Sequence, residues 1–176
     1  VNDKAKRRKH QNSSDINSDS IPYNYGLPAN YQQTYPVLDC ELSNFYSFLI
    51  KPVATAQDPP IRPATADIYL RHAKLFLGWY IHRNKQASSQ GLSIFEIVKD
   101  ESRSSATLFF DYIIWLRSAR GISPSYESNI IRGLTKLVKF RFEKESKSDP
   151  SYGEKSFEDI PLVREMRKYH REASKR

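Results

Sequence analysis

The residues best suited to chemistry in this chain lie on one predicted helix, residues 124–143. Ser123 is placed to cap this helix, and Pro124 fits its first turn, where a missing N–H costs nothing. At about 100° per residue, the apolar residues fall on one face of this helix: Tyr126, Ile130, Leu134, Leu137 and Val138. The opposite face is polar and comprises Ser125, Ser128, Asn129, Arg132, Lys136 and Lys139. Cations among small hydrogen-bonding side chains suit contacts with phosphates and base edges, although a merely solvated helix face has the same pattern.

The positive charge of the chain is concentrated in two segments, each with one predicted amphipathic helix. The 176 residues carry a formal net charge of +8, and residues 61–90 and 122–148 together supply +7 of it. Such a localised surplus is typical of a protein that binds a polyanion, whereas a generally basic surface would spread it. The charge distribution therefore favours a nucleic acid as the partner.

A single cysteine, Cys40, excludes an intrachain disulfide and favours a reducing, intracellular compartment. It lies in an apolar pattern and is expected in the core. No apolar run reaches membrane-spanning length, and the first residues do not read as a secretory signal. We therefore expect no membrane partner.

Residues 1–36 are predicted to form a disordered arm, because they are rich in Asn, Ser, Asp and Tyr and show no apolar period. Residues 4–9 (KAKRRK) form a basic cluster within this arm. The cluster fits a nuclear localisation signal or a phosphate-binding arm, and short basic clusters also occur in tails without either role. A nuclear location is consistent with this cluster and rests on it alone.

Apolar residues recur at helical spacing from Leu38 onward and predict helices over residues 38–50, 63–82, 93–99, 105–120, 124–143 and 159–170. Ser93 and Glu96 have the spacing of a capping box, and Gly121 is expected to end the helix before it. There is no Gly-rich phosphate loop and no alternation of strands with helices. The sequence predicts an all-α fold: a compact four- to five-helix bundle over residues 37–148, followed by a connector helix over residues 149–176.

Three segments carry the patterns of one protein family in the same order. Residues 42–49 (LSNFYSFL) form a helix with an "FLxFL"-like end, and residues 63–71 (PATADIYLR) with 75–79 (LFLGW) resemble "SPxTxxxYxxxLxxFxxWL". Residues 120–125 (RGISPS) and 134–140 (LTKLVKF) resemble "RGLSPxT…LSALRxF". Arg62 replaces the usual serine, and Tyr126 stands where threonine is common. Over residues 38–145 the chain thus resembles the N-terminal core-binding, SAM-like domain of tyrosine recombinases and phage integrases.

This resemblance implies a helical bundle that forms half of a clamp around double-stranded DNA near a recombination site. The other half would be a separate catalytic domain, and further helices would contact a neighbouring protomer, so that the chain self-associates on DNA. By position, the resemblance makes these residues the candidate DNA contacts: Arg71, Lys74, Ser125, Asn129, Arg132, Lys136 and Lys139.

The catalytic residues of that family are not recognisable in this chain. Its H-x-x-R pair is absent, since His72, His82 and His170 are each followed by other residues at that spacing. No C-x-x-C, H-x-x-x-H or H-E-x-x-H spacing is present either, so neither a metal site nor a cofactor is expected. We expect no catalytic activity from this chain alone, and site-specific recombination only in a parent protein with a further domain.

The sequence leaves two alternatives open. The chain can be a helical protein–protein interaction module whose basic faces are only solvated, or a non-catalytic DNA-binding regulator derived from a recombinase. DNA affinity and its dependence on salt distinguish the interaction module from the DNA-binding alternatives. A catalytic set beyond residue 176 would distinguish an active recombinase or mobile-element integrase from the regulator.

Overall fold

Helices make up the regular structure of this protein in the ranges that its computed structural model describes, which are residues 21–50, 59–84, 91–100, 102–148 and 157–176. The predicted all-α class is confirmed for this part of the chain. Five longer helices form the bundle, and two single-turn helices and one 3-10 helix (Phe157–Asp159) complete it. The α-helices are α1 (Tyr31–Thr34), α2 (Pro36–Ile50), α3 (Pro63–Arg83), α4 (Ile94–Ile97), α5 (Arg103–Arg120), α6 (Pro124–Ser148) and α7 (Pro161–Ala173).

Local signals set where several of these helices begin and end. Ser93 caps α4, since its Oγ accepts two backbone N–H groups of the first turn at 3.0 and 3.3 Å. Ser123 caps α6, where its Oγ accepts the backbone N–H of Tyr126 at 3.2 Å. Gly121 follows α5 with a φ of 57°, a left-handed conformation that glycine adopts without steric cost. These three predictions of helix ends are confirmed.

Helix α6 is the central element, and α2, α3 and α7 pack around it. Its buried side chains include Ile130, Leu134, Leu137 and Val138, as the sequence predicts. Helix α5 joins the bundle through aromatic contacts with α3: the ring centroids of Phe76 and Phe109 are 4.8 Å apart, and those of Trp79 and Tyr112 are 5.2 Å apart. One apolar core therefore extends from α2 to α7.

Two residues assigned to the core from the sequence are exposed. Cys40 lies on the outer surface of α2, whose inner surface is formed by Leu38, Leu42 and other apolar residues. Tyr126 keeps 41% of its surface accessible in the first turn of α6. The spacing of apolar residues along one helix does not show how far the neighbouring helices extend. Burial is therefore predicted least accurately for residues at the edge of an apolar face.

Helices α3 and α6 approach closely at Gly133. A Cβ atom there would lie 3.2 Å from Cδ1 of Tyr69 and 3.4 Å from Cβ of His72, so the missing side chain permits this approach. His72 is buried at the contact, and neither of its ring nitrogens has a hydrogen-bond partner among the described residues. Burial, with a further contribution from the charge of Arg71, lowers the pKa of His72 to about 4.

Replacing His72 with leucine is expected to reduce the loss of stability on acidification. The folded chain keeps the imidazole neutral down to about pH 4, whereas the unfolded chain takes up the proton near pH ~6.5. Because the unfolded state binds the proton first, the free energy of unfolding falls as the pH drops between these values, by about 3 kcal/mol for this group. Urea unfolding at about pH 7 and about pH 4.5 measures the difference. An equal loss in the leucine variant would contradict the prediction.

Residues 21–31 form a folded segment across α3 and α5, which we call the N-terminal strap. Tyr25 is buried, with its ring centroid 4.8 Å from that of Trp115 and its hydroxyl 3.2 Å from the hydroxyl of Tyr112. Arg120 holds the same segment, since its Nη2 donates to the backbone carbonyls of residues 22 and 23 at 2.6 and 3.2 Å. The strap is therefore anchored by aromatic packing and by a guanidinium.

The prediction of a disordered arm over residues 1–36 is thus wrong for residues 21–36, while residues 1–20, including the basic cluster 4–9, lie outside the described residues. A composition-based prediction weighs apolar aliphatic residues, which are few here. Tyrosine rings provide the buried surface instead, and a tyrosine can bury its ring while its hydroxyl finds a partner.

Helix α7 packs into the bundle, whereas the sequence predicts a connector that leads away from it. Leu162, Val163 and Met166 are fully buried, and the ring of Tyr169 stacks on Phe110 of α5 with centroids 5.0 Å apart. The predicted connector helix over residues 149–176 is thus a helix over Pro161–Ala173 that shares the core of the bundle. Residues 149–156 lie outside the described ranges.

Candidate nucleic-acid interface

Four polar side chains run along the solvent side of α6, and we call them the α6 stripe: Ser125, Asn129, Arg132 and Lys136. Their spacing of four, three and four residues keeps them on one side of the helix over ~16 Å of its axis. The first three are exposed and Lys136 is half-buried. These four predicted DNA contacts therefore share one outward surface.

Lys139, the remaining predicted contact on this helix, does not belong to that surface. It is only 5% exposed, and its Nζ lies 5.4 Å from the ring centroid of Phe157. The 3-10 helix and α7 pack against this edge of α6, which the periodicity of α6 alone predicts to be exposed. The assignment of Lys139 is therefore corrected to a packing role, and Ser128 is buried at the same edge.

Arg141 is a second cation of α6 that the fold uses for packing. Its Nε and Nη2 donate to the backbone carbonyls of Val98 and Lys99, at 2.8 and 3.1 Å, where α4 has ended. Its guanidinium also lies over the ring of Phe95 at 4.5 Å. The positive surplus counted over residues 122–148 is therefore only partly on the surface.

The C-terminal end of α7 flanks the α6 stripe and forms a cleft with the first turns of α6. The cleft has a volume of about 370 Å³. Hydroxyl groups, an amide and two guanidinium groups line it, from Ser125, Ser128, Asn129, Arg132, Ser174 and Arg176. The N-terminal end of a long helix also presents partial positive charge. The cleft therefore suits an anionic group.

A buried carboxylate beside this cleft joins α5, α6 and the residues that follow α7. Nε and Nη2 of Arg117, on α5, donate to the two carboxylate oxygens of Glu127 at 2.8 and 2.6 Å, and Nη2 of Arg176 donates at 2.7 Å. Burial raises the pKa of Glu127, but the hydrogen bonds and charges of the two arginines outweigh it, so that the pKa lies below its usual value. Sequence reasoning missed both Glu127 and Arg176, because partners 49 residues apart leave no local signal.

His170, on the last turn of α7, also contacts the stripe. Its Nε2 lies 2.8 Å from Nε of Arg132 and 2.8 Å from Oγ of Ser128. Burial, and then the charge of Arg132, lower the pKa of His170. The orientation of Arg132 is therefore set by α7 and not by α6 alone, which the sequence analysis did not anticipate.

The two predicted contacts on α3 have different surroundings. Arg71 is exposed and directly precedes His72, which packs against α6. Lys74 is half-buried, with its Nζ 5.0 Å from the ring centroid of Tyr31 in the strap. Lys74 also lines a second cleft, of about 450 Å³, together with residues of α2 such as Tyr46. Lys74 therefore faces α1 and α2, whereas Arg71 adjoins the α3 residue that contacts α6.

Two exposed apolar side chains lie beside the same surface. Ile68 keeps 50% of its surface accessible one turn before His72 on α3, and Tyr126 keeps 41% with its ring 5.6 Å from that of His72. The surface around the contact of α3 with α6 therefore combines cations, hydrogen-bonding groups and apolar groups.

Neither a metal site nor a membrane-spanning helix is found in the described ranges. There, no three His, Cys, Asp or Glu side chains are grouped so that they could hold a metal ion. None of the helices in these ranges combines the length and the apolar character needed to cross a membrane.

The chain matches none of the protein-family models, curated proteins or solved structures with which it was compared. The resemblance to tyrosine recombinases therefore rests on the three sequence segments alone, and the candidate interface rests on the geometry of α3, α6 and α7.

Proposed function

We propose that this chain is a DNA-binding domain of the tyrosine recombinase or integrase type, which clamps double-stranded DNA while a separate domain performs catalysis. The observation that carries the proposal is the α6 stripe, with Arg71 on the adjoining helix and Arg176 at its flanking cleft. Self-association on DNA belongs to the same proposal and follows from the family resemblance.

The chemistry of the stripe supports contact with a duplex. Arg132 and Lys136 lie one turn apart, and both suit phosphate oxygens, while Asn129 between Ser125 and Arg132 has the donor and acceptor pair that reads an adenine edge. The stripe is ~16 Å long, which is comparable to the ~12 Å width of the major groove. Such a helix can lie in the groove with its cations on the flanking backbone.

The test is fluorescence-anisotropy binding to a duplex over a series of salt concentrations, with a variant that replaces Arg71, Arg132 and Lys136 by alanine. Each lost phosphate contact reduces the slope of log K against log salt by about 0.9, so a decrease of roughly 2 to 3 is expected. The matched control replaces Lys99, Arg164 and Lys168, three exposed cations outside the stripe, and thus removes the same charge.

A slope that is unchanged in the control variant and decreases in the variant of Arg71, Arg132 and Lys136 would support the proposal. Equal decreases in both variants would mean that only net charge matters, and the stripe would not be the interface. No binding of the unchanged chain at low salt would exclude DNA as its partner.

A protein–protein interaction module is the second candidate function, and the exposure of Ile68 and Tyr126 favours it. Apolar side chains bordered by charged ones are typical of the centre and rim of a protein interface. Replacing both with serine should leave the salt dependence of DNA binding nearly unchanged if DNA contacts the stripe. Loss of a protein complex without loss of DNA binding would favour this second function.

A further inference from the structure

The ring nitrogen Nε2 of His170 lies against two polar groups of α6, one of which can only donate a hydrogen bond. Nε of Arg132 and Oγ of Ser128 are each 2.8 Å from it. The hydroxyl of Ser128 has a second neighbour in Oγ of Ser174, at 3.3 Å, whereas Nε of Arg132 can only donate.

The chemistry of arginine fixes the protonation state of this histidine. A guanidinium keeps its Nε hydrogen at every accessible pH, so Nε2 of His170 must offer its lone pair. The imidazole is therefore neutral and carries its hydrogen on Nδ1. Protonation would place a second hydrogen in the line of the Arg132 bond and a second cation beside Arg132, and both effects break that bond.

Among the described residues, no carboxylate contacts the ring of His170 directly, so none would offset a positive charge on it. Glu127 on α6 already binds Arg117 of α5 and Arg176 at the end of the chain. Glu172 of α7 acts on Arg117, and from α6 the charge facing the ring is that of Arg132. From α5, the guanidinium of Arg117 and the uncharged ring of Phe110, stacked on Tyr169, face this part of α7.

We infer that His170 is a proton-operated latch on Arg132: the neutral imidazole holds Arg132 against α7, and the protonated imidazole releases it toward the DNA backbone. The effect of the latch on DNA binding rests on the proposed function, whereas the latch itself rests on the contact of His170 with Arg132. A protonated His170 leaves two cations at the cleft, with Arg132 no longer bound within the protein. Nearby phosphates would stabilise that state in turn.

The expected effect is tighter DNA binding at lower pH. One added phosphate contact changes the affinity by roughly fivefold to tenfold near 0.1 M salt and increases the salt slope by about 0.9. His72, with a pKa of about 4, stays mostly neutral above about pH 5. The comparison between about pH 7.5 and about pH 5.5 therefore isolates groups such as His170.

The experiment has two measurements. Nitrogen-15 NMR of the histidine side chains, without DNA, reports which ring nitrogen of His170 carries hydrogen at about pH 7.5 and whether the Nε–H signal of Arg132 shifts as His170 titrates. Anisotropy binding to a duplex over the same pH range compares the unchanged chain with His170→Gln, which cannot become charged. His82→Gln, on the distant end of α3, is the matched control.

Hydrogen on Nδ1, an Arg132 signal that follows the titration, and a pH-dependent affinity gain that only His170→Gln abolishes would support the inference. Hydrogen on Nε2 at about pH 7.5, or equal pH dependence in His170→Gln and the unchanged chain, would overturn it. Failure of the unchanged chain to bind DNA at any pH would instead overturn the proposed function and the regulatory effect with it. The NMR measurement would still decide whether the latch itself exists.

Discussion

Gly78→Ala is expected to displace the N-terminal strap and to lower the free energy of unfolding by about 2–4 kcal/mol. A Cβ atom at this position would lie 2.2 Å from the carbonyl oxygen of Tyr25 and 2.5 Å from the carbonyl carbon of Gly26. Both are backbone atoms, so no side-chain rotation relieves the overlap. The whole strap must move away from α3, and Tyr25 loses its contacts with Trp115 and Tyr112 as it does.

The sign of this effect separates it from helix propensity. Alanine in the middle of a helix is normally more favourable than glycine by about 1 kcal/mol, so without the strap the substitution would stabilise the protein. Urea unfolding gives the free energy, and hydrogen exchange of the strap amides gives the local loss of protection. Gly91→Ala is the matched control, because a Cβ there meets nothing within 4 Å. A stabilised Gly78→Ala variant with a protected strap would contradict the packing described here.

The second large effect is expected at Glu127, whose replacement by alanine should lower the free energy of unfolding by about 2–3 kcal/mol. The carboxylate is 1% exposed, whereas Arg117 and Arg176 keep 35% and 44% of their side chains accessible. Water therefore partly solvates the two guanidinium groups after the change, which keeps the effect below that of a fully buried pair. The end of α7 should also become less protected from hydrogen exchange, because Arg176 loses its anchor.

The pH dependence of this interaction has a definite sign. Because the pKa of Glu127 is lowered in the folded state, its stabilising contribution is present above the unfolded pKa of ~4.3 and is lost as the pH falls through the folded value. Glu127→Gln should therefore lose stability at neutral pH and approach the unchanged chain in acid. Glu158→Ala is the matched control: its partner Arg167 and Glu158 itself are 46% and 50% exposed, and such a pair contributes less than about 1 kcal/mol. Equal losses at Glu127 and Glu158 would contradict the assigned role of burial.

The sequence predicts the all-α class and several helix ends well, because these depend on short stretches of chain. The caps at Ser93 and Ser123 and the stop at Gly121 need only a hydroxyl or a missing Cβ within a few residues of the helix terminus. The apolar residues Ile130 to Val138 of α6 are placed correctly for the same reason. The outward stripe of Ser125, Asn129, Arg132 and Lys136 follows from the same period.

Lys139 and Tyr25 show where prediction from the sequence ends. A lysine on the polar side of a helix remains a surface residue until another element covers it, and Phe157 of the 3-10 helix packs over Lys139. Tyr25 lies in a segment of disordered composition and becomes buried because Gly78, Trp115 and Arg120 together provide a site for it. His170 gains its role from Ser128, 42 residues away, and Glu127 binds both Arg117 on another helix and Arg176, 49 residues away along the chain.

The sequence by itself determined that the described part of this protein is helical, where several of its helices begin and end, and that residues 61–90 and 122–148 supply most of its net positive charge. These are properties of local propensity, spacing and composition. Only the tertiary structure decided which of those cations face solvent, that α7 belongs to the bundle, and that Arg132 is held by His170. These features depend on contacts between residues far apart in the chain, whose energies are set by burial and by hydrogen-bond partners that no short segment contains.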